Sequence, residues 1–196
     1  MFTRKGILFV ISGPSGVGKG TVRSTLMPLV EDIHVSVSAT TRPPREGEID
    51  GQDYFFTDPA RFQQMIDNDE LLEWALVYGN LYGTPKEYVT TMLSQGNDVL
   101  LEIDIQGALQ VKEKMPEGVF IFIAPPTIEE LSRRLCGRGN DSEQSIQIRL
   151  AACQEEMAHM KYYDYIVVND RIEDAVEKVR SIITAERCKR KNLNLG

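Results

Sequence analysis

Ile7-Leu8-Phe9-Val10-Ile11-Ser12-Gly13-Pro14-Ser15-Gly16-Val17-Gly18-Lys19-Gly20-Thr21 runs an apolar segment straight into a glycine-rich turn that ends in a lysine. Ile7–Ile11 is short, apolar and rich in β-branched residues, which predicts a buried strand. The turn has the pattern G-x-x-x-x-G-K, with a threonine one place later than the commonest form has its hydroxyl. Glycines let the backbone curl so that successive N–H groups point inward at phosphate oxygens. A helix-like stretch, Thr21 to Leu29, follows, and its N-terminus adds positive potential. Lys19 brings a full charge toward the β and γ phosphates of a nucleoside triphosphate. Strand, loop and helix stand in the order this motif requires. The predicted triphosphate loop is Gly13, Pro14, Ser15, Gly16, Val17, Gly18, Lys19, Gly20 and Thr21.

Gly20 stands where a magnesium-holding Ser or Thr is usual, so Thr21 is the nearest hydroxyl. Adenylate kinases resemble this stretch, with the same Gly-Lys-Gly-Thr order. An acidic residue at the end of another buried strand would complete a site for Mg²⁺. Val99-Leu100-Leu101-Glu102-Ile103-Asp104 fits, and strand alternation places Glu102 and Asp104 on the same side. Thr21 and Glu102 are the candidate metal contacts.

Outward from the loop, apolar runs alternate with segments of helical period. Val99–Ile103, Val119–Ala124 and Tyr165–Val168 read as further parallel strands. Thr127-Ile128-Glu129-Glu130 is a capping box, followed by an Ile128, Leu131, Leu135 stripe. Ile146, Leu150, Cys153, Met157 and Met160 form a second stripe, and Ala175, Val176, Val179, Ile182 and Ile183 a third. The pattern predicts an α/β domain with a mostly parallel sheet. Two stretches break it. Ser38 to Tyr88 is rich in Pro, Gly and aromatics, with strand-like Tyr54-Phe55-Phe56 and Leu71–Val77 and a helix opened by Asp58-Pro59; it predicts an inserted lobe. Gly137 to Ser145 is polar and predicts a mobile flap between two helices.

Composition sets the outer limits. A chain of 196 residues with 42% hydrophobic and 26% charged residues suits one globular domain. A net charge of -7 argues against a nucleic-acid-binding surface while leaving room for a local nucleotide site. No apolar run is long enough to span a bilayer, and the N-terminus lacks the marks of a signal peptide, so the expected location is cytoplasmic. Cys136, Cys153 and Cys188 are far apart and have no nearby His or Cys partner, which argues against a zinc site or a disulfide framework. The basic tail, Arg187 to Lys191, reads as a solvated helix end.

The inserted stretch carries the second substrate site. Thr41-Arg42-Pro43-Pro44-Arg45 holds two arginines stiffened by prolines, a pre-shaped anion clamp, and Tyr54 adds a hydroxyl. Glu73-Trp74-Ala75 and Tyr78 to Thr84 supply a carboxylate, aromatics and a hydroxyl. One carboxylate can accept from guanine N1–H and its 2-amino group together, a pair that adenine lacks. This chemistry favours GMP over AMP as the acceptor.

The chain resembles the guanylate kinase family of nucleoside-monophosphate kinases. The resemblance is carried by Gly13–Lys19, Ser38 with Thr41 to Glu48, Gly51 with Asp53-Tyr54, Glu73-Trp74-Ala75, Tyr82-Gly83-Thr84, Glu102-Ile103-Asp104 with Gln106-Gly107, Ile123 to Pro126, Arg134-Leu135 with Gly137 to Gly139, and Val168-Asn169-Asp170. It implies a P-loop kinase core over 1–37, 89–136 and 151–196, a GMP-binding lobe over about 38–88 and a lid over about 137–150. It implies ATP and GMP as substrates, with dGMP a candidate acceptor as well, and Mg²⁺ as cofactor. Arg42, Arg45, Tyr54 and Tyr82 would hold the GMP phosphate. Ser38, Glu73 and Thr84 would read the guanine, with Asp104 near it. Lys19 with Arg134, Arg138 and Arg149 would serve the phosphoryl group in transit, and Asn169 would lie near the adenine. Among rivals, a P-loop GTPase lacks its Asn-Lys-x-Asp motif here, and another monophosphate or ribose-bisphosphate kinase does not explain Glu73 and Thr84. Scaffold domains of this type have lost ATP binding, whereas this loop is intact.

Overall fold

The structure is a computed structural model that describes residues 3–136 and 155–194, with only the backbone of Thr3, Leu135, Cys136 and Asn194. The expected flap, Arg138 and Arg149, and most of the Ile146–Met160 stripe lie outside the described residues.

Strands β1 (Thr3–Arg4), β2 (Leu8–Ser12), β3 (Ile33–Val35), β4 (Ala39–Thr40), β5 (Phe55–Phe56), β6 (Leu71–Val77), β7 (Asn80–Pro85), β8 (Asp98–Glu102), β9 (Val119–Ala124), β10 (Tyr165–Val168) and β11 (Leu193–Asn194) form separate sheets. The central sheet has the order β10-β9-β2-β8-β3 and every pairing in it is parallel. Helices α1 (Lys19–Leu26), α2 (Pro59–Asp67), α3 (Lys86–Ser94), α4 (Ile105–Lys114), α5 (Ile128–Cys136) and α6 (Ile172–Arg187) are distributed around it.

Alternation along β2 explains the layers. Ile7, Phe9 and Ile11 pack with Val22 and Leu26 of α1, Leu131 of α5 and Val176, Val179 and Ile183 of α6. Leu8 and Val10 face the other way, onto Val89 of α3, Ala108 and Val111 of α4 and Leu72 of β6. A strand covered on both faces needs apolar residues at successive positions, which is why Ile7–Ile11 shows no polar alternation. Capping follows the sequence. The Asp58 side chain accepts from Arg61 N–H at 2.9 Å to start α2, and Thr127 Oγ1 accepts from Glu130 N–H at 3.1 Å to start α5.

A second sheet, of order β5-β4-β7-β6, is built from the stretch read as an insertion. Its antiparallel β6–β7 pair sets Glu73 opposite Thr84. Ala39, Phe62 and Leu71 form its small apolar core, with Phe62 contributed by α2.

The basic tail differs from the expected solvated end. Arg187 Nε donates to the buried Asp98 carboxylate at 2.8 Å and Arg187 Nη2 to the Glu31 carbonyl at 2.8 Å. Asp98 also accepts from Arg4 and from the Ile7 N–H. One buried carboxylate thus ties β1, the residue that leads into β2, β8 and the end of α6 together. Among the described residues no helix is long and apolar enough to cross a membrane.

Candidate active site

The loop after β2 leaves the sheet at Gly13, whose φ is 144°. A Cβ there would lie 2.2 Å from the Ile123 carbonyl oxygen on β9, so only glycine permits this close approach. The Lys19 ammonium arcs back over the loop and donates to the carbonyls of Gly13 (2.6 Å) and Pro14 (3.0 Å). Burial pulls the Lys19 ammonium below its ordinary pKa, while Glu102, Glu156 and Asp104 oppose that fall. Glu156, itself pushed up by burial, accepts from the Ser15 N–H. The far side of the loop is stapled by Asn169, which is 6% exposed and donates from Nδ2 to the Val17 carbonyl at 2.8 Å. Arg134 of α5 holds the same corner, donating to Glu130 (2.8 Å), to the Asn169 carbonyl (2.9 Å) and to the Asp170 carbonyl (3.4 Å).

Glu102 ends β8 beside this loop, with Oε2 2.7 Å from Arg23 Nε of α1. A Cβ on Gly20 would lie 3.4 Å from Glu102 Oε1, so glycine leaves the space next to the carboxylate open. Thr21 is exposed in the first turn of α1. A part-exposed carboxylate beside the loop is a hard oxygen donor of the kind that suits a divalent cation such as Mg²⁺. Among the described residues no group of three or more His, Cys, Asp or Glu would hold a metal unaided.

The second sheet presents a different chemistry. Glu73 is 2% exposed, and Thr84 Oγ1 donates to its Oε1 at 2.6 Å. Burial pushes the Glu73 carboxyl up to about 7; Thr84 and Lys114 oppose the rise and the Asp104 charge adds to it. An unfolded glutamate titrates near 4.5, so folding is favoured below that pH and loses about 3 kcal/mol as pH rises through 7. A ligand offering N–H donors to this carboxylate would recover part of that loss. Nearby, Arg42 Nη2 makes a bidentate pair with Glu48 at 2.8 and 2.9 Å, and its guanidinium lies 5.4 Å from the Tyr54 ring centroid. Tyr54 and Tyr82 meet edge to face at 5.9 Å. Asp104 joins the two regions, since its charge acts on both Lys19 and Glu73.

The sequence model of the guanylate kinase family matches residues 5–186. The chain belongs to the guanylate kinase family. It is 65% identical over 192 residues to a guanylate kinase of Syntrophomonas wolfei subsp. wolfei, covering 98% of each chain. It is 55% identical to a guanylate kinase of Caldanaerobacter subterraneus subsp. tengcongensis, over 95% of this chain and 90% of that one. The crystal structure of guanylate kinase from Anaplasma phagocytophilum superimposes with a TM-score of 0.83 at 37% identity, covering 98% of this chain and 92% of that one.

For this guanylate kinase family member, the structure brings Glu73, Thr84 and Asp104 together, and Arg42 with Tyr54 and Tyr82. Ser38 is half-buried and its carbonyl accepts from the Phe55 N–H at 2.9 Å. Arg45 is exposed, and its N–H donates to Glu48 at 2.7 Å. Asp104 does not share a strand with Glu102. β8 ends at Glu102, and Asp104 is the N-cap of α4, accepting from the Gly107 N–H at 2.9 Å. The side-chain oxygen captures a free helix donor, which ends the strand geometry. Sequence reasoning gave no role to Glu48, Arg23 or Glu156. Glu48 lies six residues beyond Arg42, and only the proline-stiffened turn between them hints at the pairing.

Proposed function

We propose that this protein transfers the γ-phosphoryl group of ATP to GMP, giving ADP and GDP, in line and with no covalent enzyme intermediate. The observation that carries the reading is a buried carboxylate, Glu73, joined to Thr84 and coupled through Asp104 to the phosphate loop at Lys19. Glu73 accepts from guanine N1–H and the 2-amino group, while Ser38 and Thr84 border the base. Arg42, Arg45, Tyr54 and Tyr82 hold the GMP phosphate, with Glu48 aiming Arg42 before substrate arrives. The amides of Gly13–Thr21 and the Lys19 ammonium hold the β and γ phosphates of ATP, and Asn169 fixes the loop's shape. Arg134, with Arg138 and Arg149, closes over the group in transit. Glu102, with Thr21 nearby, would hold Mg²⁺, which when bound would supply further neutralisation of charge. Phosphoryl transfer needs positioning and charge neutralisation more than covalent help, and these residues supply both. dGMP, which carries the same base and phosphate, is a second candidate acceptor in this reading.

Isothermal titration with ATP and GMP separately tests the assignment, with saturable binding of both expected. A protein that takes GMP but no ATP would be a scaffold domain of this type. The pH dependence gives a second check. Ligand N–H donors favour ionised Glu73 and lower its pKa, so GMP affinity is full above about 7 and falls as pH drops below it. Roughly tenfold weaker GMP binding at pH 6 than at pH 8, with ATP binding changed much less, is the expected result. A flat GMP profile across that range would remove Glu73 from the guanine site.

A further inference from the structure

The strand that carries Glu73 is gripped from one side by a single face of α4. Gly107, Gln110 and Lys114 are spaced three and four apart and therefore share that face. Lys114 Nζ donates to the Leu72 carbonyl at 2.6 Å. Gln110 clasps the other neighbour, accepting from the Trp74 N–H at 3.2 Å and donating to the Trp74 carbonyl at 2.7 Å. Between these two grips, the Glu73 carboxylate lies against Gly107. A Cβ on Gly107 would sit 2.3 Å from Glu73 Oε2 and 2.9 Å from its Cδ. The same helix carries Asp104 at its N-cap.

We propose that Gly107 and Gln110 are specificity-determining positioning residues: Gly107 by leaving room for the Glu73 carboxylate and Gln110 by locking the backbone of β6 beside it. The inference rests on the reading that Glu73 recognises guanine. A buried carboxylate accepts two N–H donors only in one orientation, and it relaxes toward water when its strand loosens. β6 is the edge of its sheet, and Gln110 supplies the hydrogen-bond partners of the Trp74 N–H and carbonyl on that side.

The test uses the full-length enzyme. Gly107→Ala keeps an ordinary helical residue in place, and alanine is the better helix former, so the fold should survive. The outcome expected of it is GMP binding weakened at least thirtyfold, ATP binding within twofold and thermal stability essentially retained. Gln110→Leu should raise KM for GMP about tenfold with kcat within about twofold. It should also lower the GMP-over-AMP ratio of kcat/KM by a similar factor. The acid limb of its GMP kcat/KM profile should move to lower pH as Glu73 gains water, with Asp104 and Lys114 the charged groups left facing it. Gln110→Glu, which can accept from Trp74 N–H but not donate to its carbonyl, should fall between. Glu73→Gln, measured in parallel, separates the two levels. If it disturbs GMP recognition while Gly107→Ala and Gln110→Leu do not, the positioning role is wrong. If Glu73→Gln itself leaves GMP untouched, the guanine-reading assignment falls first.

Discussion

Lys19→Met should lower turnover about a thousandfold while the protein remains folded. The ammonium is the full positive charge in the loop, and it is half-buried, with the carboxylates of Glu102, Glu156 and Asp104 acting on it. Their charges oppose the burial that lowers its pKa. When triphosphate enters, Lys19 has only to exchange two carbonyl acceptors, Gly13 and Pro14, for phosphate oxygens. Methionine keeps the length of the stem and removes the charge, so the loss falls on the transition state rather than on packing. Steady-state kinetics with circular dichroism on the same sample checks this. Turnover within a few fold of the parent would mean that the loop is not where the transferred group lies.

Arg42→Ala should weaken GMP about a hundredfold and ATP less than twofold. The guanidinium is stacked near Tyr54 and Phe56 and held by Glu48, so it is pre-aimed and loses little freedom on meeting a phosphate. Glu48 is itself prepared. Burial pushes its carboxyl up, but hydrogen bonds from Arg45 N–H and Arg42 outweigh that and hold it below the usual range. Removing Arg42 deletes a bidentate donor and leaves Glu48, a negative charge, facing the incoming phosphate. Arg42→Lys should recover little, because an ammonium cannot reproduce the planar fork. Separate KM values for the two nucleotides decide the matter, and equal rises in both would argue that the Arg42–Arg45 segment is not the acceptor's clamp.

The parts of the fold set by local rules were legible in the sequence. Ile7–Ile11 announced a strand buried on both faces, Asp58-Pro59 and Thr127 announced helix starts, and Ala175, Val176, Val179 and Ile183 announced the buried stripe of α6. The parts set by partners distant in sequence were not. β3 spans only Ile33–Val35 and takes its identity from pairing with β8. β4 is the two residues Ala39–Thr40, and β7 contains Gly83 and Pro85, so neither carries a strand signal of its own. Asp104 looked like a strand residue because alternation was continued past Glu102, where a cap had already replaced it. Arg187 looked solvated because its partner Asp98 is remote in the chain. The candidate site divides the same way. Lys19, Arg42, Glu73 and Thr84 stand in segments whose composition speaks for itself, whereas Glu48, Gly107 and Gln110 act through contacts that only the folded chain makes.

If one chain binds ATP through its glycine loop and uses a buried carboxylate to select guanine as the acceptor base, GMP is the favoured acceptor. ADP release from ATP and Mg²⁺ should therefore be measured in a coupled assay with GMP, dGMP, AMP, CMP and UMP offered in turn. Strong turnover with GMP, with or without dGMP, and little with the other acceptors is the predicted result. Equal or better turnover with AMP, CMP or UMP, or none with any of them, would contradict it.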